Sequence, residues 1–181
     1  MKKIFITILS LFMYFSISAK DNEVLTIGMN ELASSLDPPT DWAIAATWMH
    51  MNMFDCLVWR NRKTAEFEPW LATELNNLSS TKWNIKLRKN VKFHNGENFN
   101  ADAVKWTYER IYTSSRDKFI TFKQWTFIKE IEKVNDHEIN IVTKNPEPAF
   151  LSKMAGTGCG IQAPIEGKKN QNAGKFHPIG T

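Results

Sequence analysis

The sequence predicts a mixed α/β fold, and three stretches carry that expectation. Residues 82–88 set Trp83, Ile85 and Leu87 against polar neighbours, the alternation of a half-buried strand. Residues 101–111 place Val104, Tyr108 and Ile111 at i, i+4 and i+7, one inward helical face. Residues 128–134 and 138–142 alternate Ile139 and Ile141 with polar side chains and flank Asn135-Asp136-His137, which predicts a hairpin with a three-residue connection. Strands and helices joined by short turns make one mixed class.

Taken in chain order, the first element is a targeting signal. Lys2 and Lys3 precede an apolar and hydroxyl run over residues 4–17, and the small Ser18 and Ala19 lead into Lys20-Asp21. As a helix that run rises about 21 Å, short of the roughly 30 Å hydrocarbon core. Cleavage is therefore expected after Ser18 or Ala19, and with no Cys at the boundary the product is expected free of a lipid anchor. Residues 24–29 alternate Leu25 and Ile27 with Thr26 and Gly28, a short strand signal, and residues 30–39 form a loop closed by Pro38-Pro39. Thr40 or Asp41 is expected to cap a helix running towards Phe54. With Trp42, Trp48, Met49, Met51, Met53 and Phe54, that helix is apolar nearly all round, which predicts burial on more than one side.

Further on, Val91 and Phe93 extend the strand pattern, and Asn95-Gly96 supplies a turn. Asn100 can cap the following helix, with Asp102 in its positive first turn. Pro146 and Pro148 break the chain, residues 149–155 suggest one or two helical turns, and Gly156, Gly158 and Gly160 read as a flexible passage. Residues 164–178 are polar and predict a surface loop.

Composition excludes some partners. The formal charge of +4 includes Lys2 and Lys3, and the other charges are interspersed in sign, so no basic block grips a phosphate backbone and no nucleic-acid partner is expected. Cys56 and Cys159 lie in no C-x-x-C and beside no His at metal spacing. They can close a long loop as a disulfide contributing roughly 4 kcal/mol, or remain two buried thiols. His50, His94, His137 and His177 are scattered over a helix, a turn, a hairpin loop and a tail, and assemble no metal site; a core histidine is the expectation for His50.

Three segments together resemble a known family. They are Phe67-Glu-Pro-Trp-Leu-Ala-Thr-Glu-Leu75, Thr81-Lys-Trp-Asn-Ile-Lys-Leu-Arg-Lys-Asn-Val-Lys-Phe-His-Asn-Gly-Glu97 and Phe99-Asn-Ala-Asp-Ala-Val-Lys-Trp-Thr-Tyr-Glu-Arg110. Their order is similar to the signature of family 5 extracellular solute-binding proteins, the dipeptide, oligopeptide and nickel receptors of ABC importers. Ser35-Leu-Asp-Pro38 and Pro178-Ile-Gly-Thr181 match the same pattern. The resemblance implies a fold of the periplasmic binding protein type II kind, with an incomplete first lobe and its attached subdomain. Residues 1–19 would be the signal peptide and 20–60 the opening strand and helix of lobe I. Residues 61–160 would be its subdomain and 161–181 the return segment. In the family the Pro-x-Gly-Thr stretch runs on into a large further part of the chain, so a second lobe is expected beyond Thr181.

The resemblance also implies the function: a periplasmic receptor that binds a peptide or similar small solute and delivers it to an inner-membrane ABC permease. No cofactor and no enzymatic step are expected, and a monomer is. The family's ligand lies between lobes, which points to Glu31, Ala33 and Ser34 in the loop after the opening strand. An extended peptide can be held there through backbone groups whatever its side chains. Trp42 and Trp48 can wall a pocket or belong to the core, and Phe122 and Trp125 sit where a loop of the resembling proteins nears its ligand. Because nickel or haem carriage occurs in the family, His50 is the one histidine with a possible metal role. Two alternatives differ in class: a non-functional truncated remnant, and a secreted hydrolase using Cys159 between Gly158 and Gly160.

Overall fold

The computed structural model describes residues 25–114, 118–156, 158–169 and 177–181. The signal segment at residues 1–19 lies outside them, as do Val24 and residues 170–176. A 3-10 turn at Pro38–Thr40 opens the ordered elements, followed by α1 (Ile44–Met53), β1 (Val58–Arg60), β2 (Phe67–Pro69), β3 (Ala72–Ser79), β4 (Lys82–Leu87) and α2 (Ala101–Tyr112). The chain then forms the short α3 (Phe122–Trp125), β5 (Ile128–Asn135), β6 (Glu138–Thr143), α4 (Phe150–Met154) and α5 (Pro164–Lys169).

The centre is a four-stranded antiparallel sheet in the order β3-β4-β6-β5. The central strands β4 and β6 read as period-2 patterns because one face meets the core and the other meets water. Ile85, Leu87, Ile131, Ile139 and Ile141 are buried with Val104, Tyr108 and Ile111 of α2 in one core. On the opposite face Lys82 pairs with Glu132 at 2.8 Å, and Asn84 donates to both Glu138 and Asn140. Helix α2 starts as expected: Asn100 Oδ1 accepts from the Ala103 amide at 3.1 Å, and Asp102 stands in the first turn. Helix α4 closes one end of the core, with Phe150 stacked on Trp83 at 4.5 Å.

Several expectations are corrected. The β5–β6 connection is two residues, not three, since Asn135 pairs with Glu138; the Asn135 side chain holds the turn by accepting from the His137 amide. Val91 and Phe93 join no ladder: only a Lys92–Asn98 bridge forms, because the turn at Gly96 (φ +86°) folds the chain back at once. Residues 25–29 are in no strand, since no described strand lies beside them, and Leu25 and Ile27 are exposed. The polar stretch expected as a loop from Pro164 is helical to Lys169, proline suiting a first helical position. The glycines after α4 serve close packing rather than flexibility. Gly158 sits at φ +82°, and a Cβ on Gly160 would come within 2.7 Å of Phe54.

Helix α1 departs most from expectation. Its cap is neither Thr40 nor Asp41 but Ala43, and Asp41 acts one step earlier, accepting from the Ala43 amide at 2.9 Å. Ala45, Ala46 and His50 face inward, whereas Trp42, Ile44, Trp48 and Met51 are exposed. Burial on more than one side does not occur, because among the described residues nothing covers the outer face.

Candidate functional site

A cleft of about 430 Å³ opens where α1 ends. Its walls come from the last turn of α1 (Thr47, His50, Met51, Phe54), the link Asp55-Cys56, Trp59 of β1, Trp70 just after β2, and the loop over residues 155–160. Local chain physics brings these together. Phe54 leaves the helix in extended geometry while its amide still bonds the His50 carbonyl, so Asp55 turns away from the helix axis. Strands β1 and β2 pair Val58 with Pro69 and Arg60 with Phe67 across a tight loop. That loop closes on Ala65 at φ +62°, held by Asn61, whose side chain accepts from the Lys63 and Thr64 amides. The hairpin sets the Trp59 and Trp70 rings 5.9 Å apart, tilted by 37°.

Asp55 is the polar centre of this wall. Its Oδ1 accepts from Trp70 Nε1 at 2.8 Å, its Oδ2 from the Thr181 hydroxyl at 3.2 Å, and its carbonyl from the Ile161 amide at 2.9 Å. Beside it a disulfide joins Cys56 to Cys159, Cα atoms 5.3 Å apart, across 103 residues of sequence. The Tyr108 hydroxyl donates to the Cys159 carbonyl, so the loop is tied to α2 as well. His50 is buried, with Nε2 at 3.3 Å from the Ser35 carbonyl. Burial pushes its imidazole below the ordinary range, outweighing the Ser35 carbonyl and the Asp37 and Asp41 carboxylates that favour the charged form.

Behind the cleft a buried polar knot fixes the N-terminal segment. Arg110 of α2 forks onto Asp37, with Nη1 to Oδ2 at 2.9 Å and Nη2 to Oδ1 at 2.6 Å, and Gln162 Nε2 adds a third bond at 2.6 Å. The guanidinium also lies 5.2 Å from the Trp106 and Phe119 ring centroids. Thr121 donates to the Pro39 carbonyl from both its amide and its hydroxyl. At the start of the same segment, burial pushes the Asp41 carboxyl up. The bonds from the Ala43 amide and from the Ser34 hydroxyl and amide prevail and hold it below its ordinary value.

The residues expected from sequence lie elsewhere. Glu31 is exposed and Ala33 half-buried. Ser34 is exposed and donates to Asp41 through amide and hydroxyl, each at 2.8 Å. Trp42 projects outward, and Phe122 packs half-buried at the core edge. Trp125 is in the core, stacked on Tyr108 at 4.4 Å. Among the described residues none of these six lines the cleft. Asp55, Trp59 and Trp70 were not anticipated, although Trp70 stands inside the Pro-Trp-Leu-Ala segment. No cluster of three or more His, Cys, Asp or Glu side chains able to hold a metal occurs among the described residues. No helix among them is long and apolar enough to cross a membrane.

Comparison with known proteins places this architecture. The peptide-binding DppA of Helicobacter pylori, solved with the peptide STSA, superposes with a TM-score of 0.73 at 24% identity, over 83% of this chain and 34% of that one. A nickel ABC transporter structure from Bacillus halodurans gives a TM-score of 0.68 at 29% identity, over 83% of this chain and 29% of that one. The fold is that of the periplasmic binding proteins. In sequence, the glutathione-binding protein GsiB of Pectobacterium atrosepticum is 30% identical over 99 residues, 55% of this chain and 19% of the relative. Residues 66–181 match the family described as bacterial extracellular solute-binding proteins, family 5 Middle, and the chain belongs to that family. It spans about a fifth of the length of the curated relatives it matches.

Proposed function

We propose that this chain acts in solute uptake, as the substrate-binding component of an ABC-type peptide importer. It would bind a peptide or similar small solute outside the cytoplasm and hand it to an inner-membrane permease. The observation that carries this reading is the family match over residues 66–181. The basic and apolar order of residues 2–19 supports export with cleavage after Ser18 or Ala19. The division at residue 160 is supported by the return of the chain to Asp55, whose carbonyl accepts from the Ile161 amide, whereas residue 60 falls within the β1–β2 hairpin. A monomer suits such a receptor, and closure around a solute would be a hinge motion. A Cys hydrolase finds no support, because the Cys159 sulfur is bonded to Cys56. Among the residues expected from sequence, Glu31, Ser34 and Trp42 have side chains open to a solute, and Ala33 and Phe122 are partly so.

Calorimetric titration of the purified chain with di- and tripeptides and with reduced glutathione tests the proposal. Saturable micromolar binding of at least one supports it. Absence of heat with all of them, from a folded monodisperse sample, overturns it.

A further inference from the structure

We infer that Met51 is an oxidation-sensitive site: an oxidant of the peroxide class converts its thioether to the sulfoxide, and Arg62 then holds the new oxygen at the mouth of the cleft. The sulfur chemistry of the chain narrows to this group. Cys56 and Cys159 are bonded to each other and no free cysteine remains, so no thiol competes for the oxidant. Such a bond also belongs to an oxidising compartment. Thioethers are what is left to oxidise at sulfur. Met51 is 47% exposed, whereas Met29, Met49 and Met53 are half-buried and Met154 is fully buried. Helical geometry explains the split within the Met-rich run. Met49 and Met53 each stand two residues from Met51, about 200° round the helix, and neither lines the cleft that Met51 lines.

Arg62 gives the oxidised form a partner. Its Nη2 lies 3.8 Å from Met51 Sδ, and a thioether is only a weak acceptor. In the oxidation Sδ attacks one peroxide oxygen, and the S–O bond forms as the O–O bond breaks. Sulfur loses two electrons to the peroxide. The second oxygen departs as water, taking the proton that the transferred oxygen sheds. The sulfoxide oxygen is the negative end of a polar bond, so the guanidinium gains a charge-assisted hydrogen bond where it had a weak contact. Arg62 stands in the β1–β2 loop, which Asn61 fixes by accepting from the Lys63 and Thr64 amides, so the donor stays in place while the sulfur changes. Met51 shares the cleft wall with Phe54, Trp59 and Trp70. A polar, chiral group joined there to a cation alters an apolar opening, and enzymatic reduction of the sulfoxide restores it.

The test uses the whole disulfide-bonded chain, labelled with 13C at the methionine methyls and with 15N, and treated with hydrogen peroxide. Each methyl signal, assigned through single substitutions such as Met51→Leu and Met154→Leu, gives one rate of conversion. Met51 is expected to oxidise about tenfold faster than Met154, and ahead of Met29, Met49 and Met53, because susceptibility follows exposure. Its conversion should shift the Trp59 and Trp70 indole signals and the Arg62 guanidinium signal. In Arg62→Leu, Met51 should still convert, with the two indole shifts much reduced. Peptide mass mapping with fragmentation gives the same order of rates on the unsubstituted chain, and so stands even where a variant fails to fold. Equal rates for Met51 and the half-buried methionines overturn the inference, as does a Met51 conversion that leaves the Trp59, Trp70 and Arg62 signals unmoved. No solute enters the experiment, so neither result bears on the receptor reading.

Discussion

The sheet between residues 72 and 143 and the segment between residues 34 and 56 are held in different ways. In the sheet, stability is spread over many contacts: Ile85, Ile131, Ile139 and Ile141 are buried against Val104, Tyr108 and Ile111, and no one pair dominates. The N-terminal segment buries Ala45, Ala46 and Phe54 but leaves large side chains uncovered, with Ile44 70% and Trp48 59% exposed. It is fixed by a few strong, discrete links instead: the Cys56–Cys159 disulfide, the Asp37–Arg110–Gln162 knot and the Thr121–Pro39 bonds. Distributed packing tolerates single losses in proportion to their size, whereas discrete links fail one at a time and nearly completely. The cleft lies on the discretely held side, so its shape depends on those links.

The largest effect should follow loss of the disulfide. Closing a loop of 103 residues constrains the unfolded chain by about 4 to 5 kcal/mol in the entropy model. Urea unfolding of a Cys56→Ser, Cys159→Ser double variant should show a loss of that order. A loss under about 1 kcal/mol would mean that the loop over residues 155–160 is held by packing, and the contrast between the two regions would weaken.

Next comes the knot. Asp37→Ala leaves the Arg110 guanidinium in a largely buried site, where its Nε already has no partner among the described residues, and should cost about 3 to 5 kcal/mol. Pairing Asp37→Leu with Arg110→Met removes both charges and should restore much of that loss. Thermal unfolding of the single and double variants forms the cycle. A double variant as unstable as Asp37→Ala would show that the charges themselves, and not an orphaned arginine, matter. For comparison, Asn100→Ala in the sheet unit removes one capping bond and should cost only about 1 kcal/mol.

How much of this was legible follows the same division. Strand β4, helix α2 with its Asn100 cap and the β5–β6 hairpin could be read because their partner surfaces lie within the chain, so period and burial agree. Strand β3 was not read. Ala-Thr-Glu-Leu-Asn-Asn-Leu-Ser has only Ala72 buried and Leu75 half-buried, an edge strand defined by pairing rather than pattern. The apolar richness of α1 was plain, but hydropathy cannot say which face of a helix is covered. The cleft was illegible for a further reason: Asp55 and Trp59, Trp70, and Cys159 come from three separate stretches of chain, and long-range links such as the hairpin, the disulfide and the Asp55–Ile161 bond bring them together.

A pH experiment sharpens the contrast without removing a link. Burial lowers the His50 pKa below its ordinary 6.5, so the unfolded chain takes up that proton at a higher pH than the folded one. Stability should therefore fall as pH drops through about 6.5 and level off once the folded imidazole is protonated. Asp41, whose pKa is lowered, stabilises above its ordinary 3.8 and loses that contribution only below it. Unfolding measured between pH 7.5 and 5 thus isolates His50 from Asp41. A His50→Gln variant, still able to donate to the Ser35 carbonyl, should show a flatter dependence over this window, the other histidines being common to both proteins. An unchanged slope would place the acid sensitivity outside the N-terminal segment.

The smallest effect is expected at the outer face of α1, and there a near-zero result is the informative one. Trp48 stands between Ile44 and Met51 on the exposed stripe, so Trp48→Gln removes little buried area and should change stability by no more than about 0.5 kcal/mol. The same class of truncation in the sheet, Ile139→Ala, removes a fully buried side chain and should cost about 2 to 5 kcal/mol. Both are read from midpoints of urea unfolding at two protein concentrations. If Trp48→Gln costs as much as Ile139→Ala, and more so at the higher concentration, the stripe is covered in solution by another copy of the chain. The apolar face of α1 would then be an interface, and the two regions would differ in what buries their side chains rather than in whether anything does.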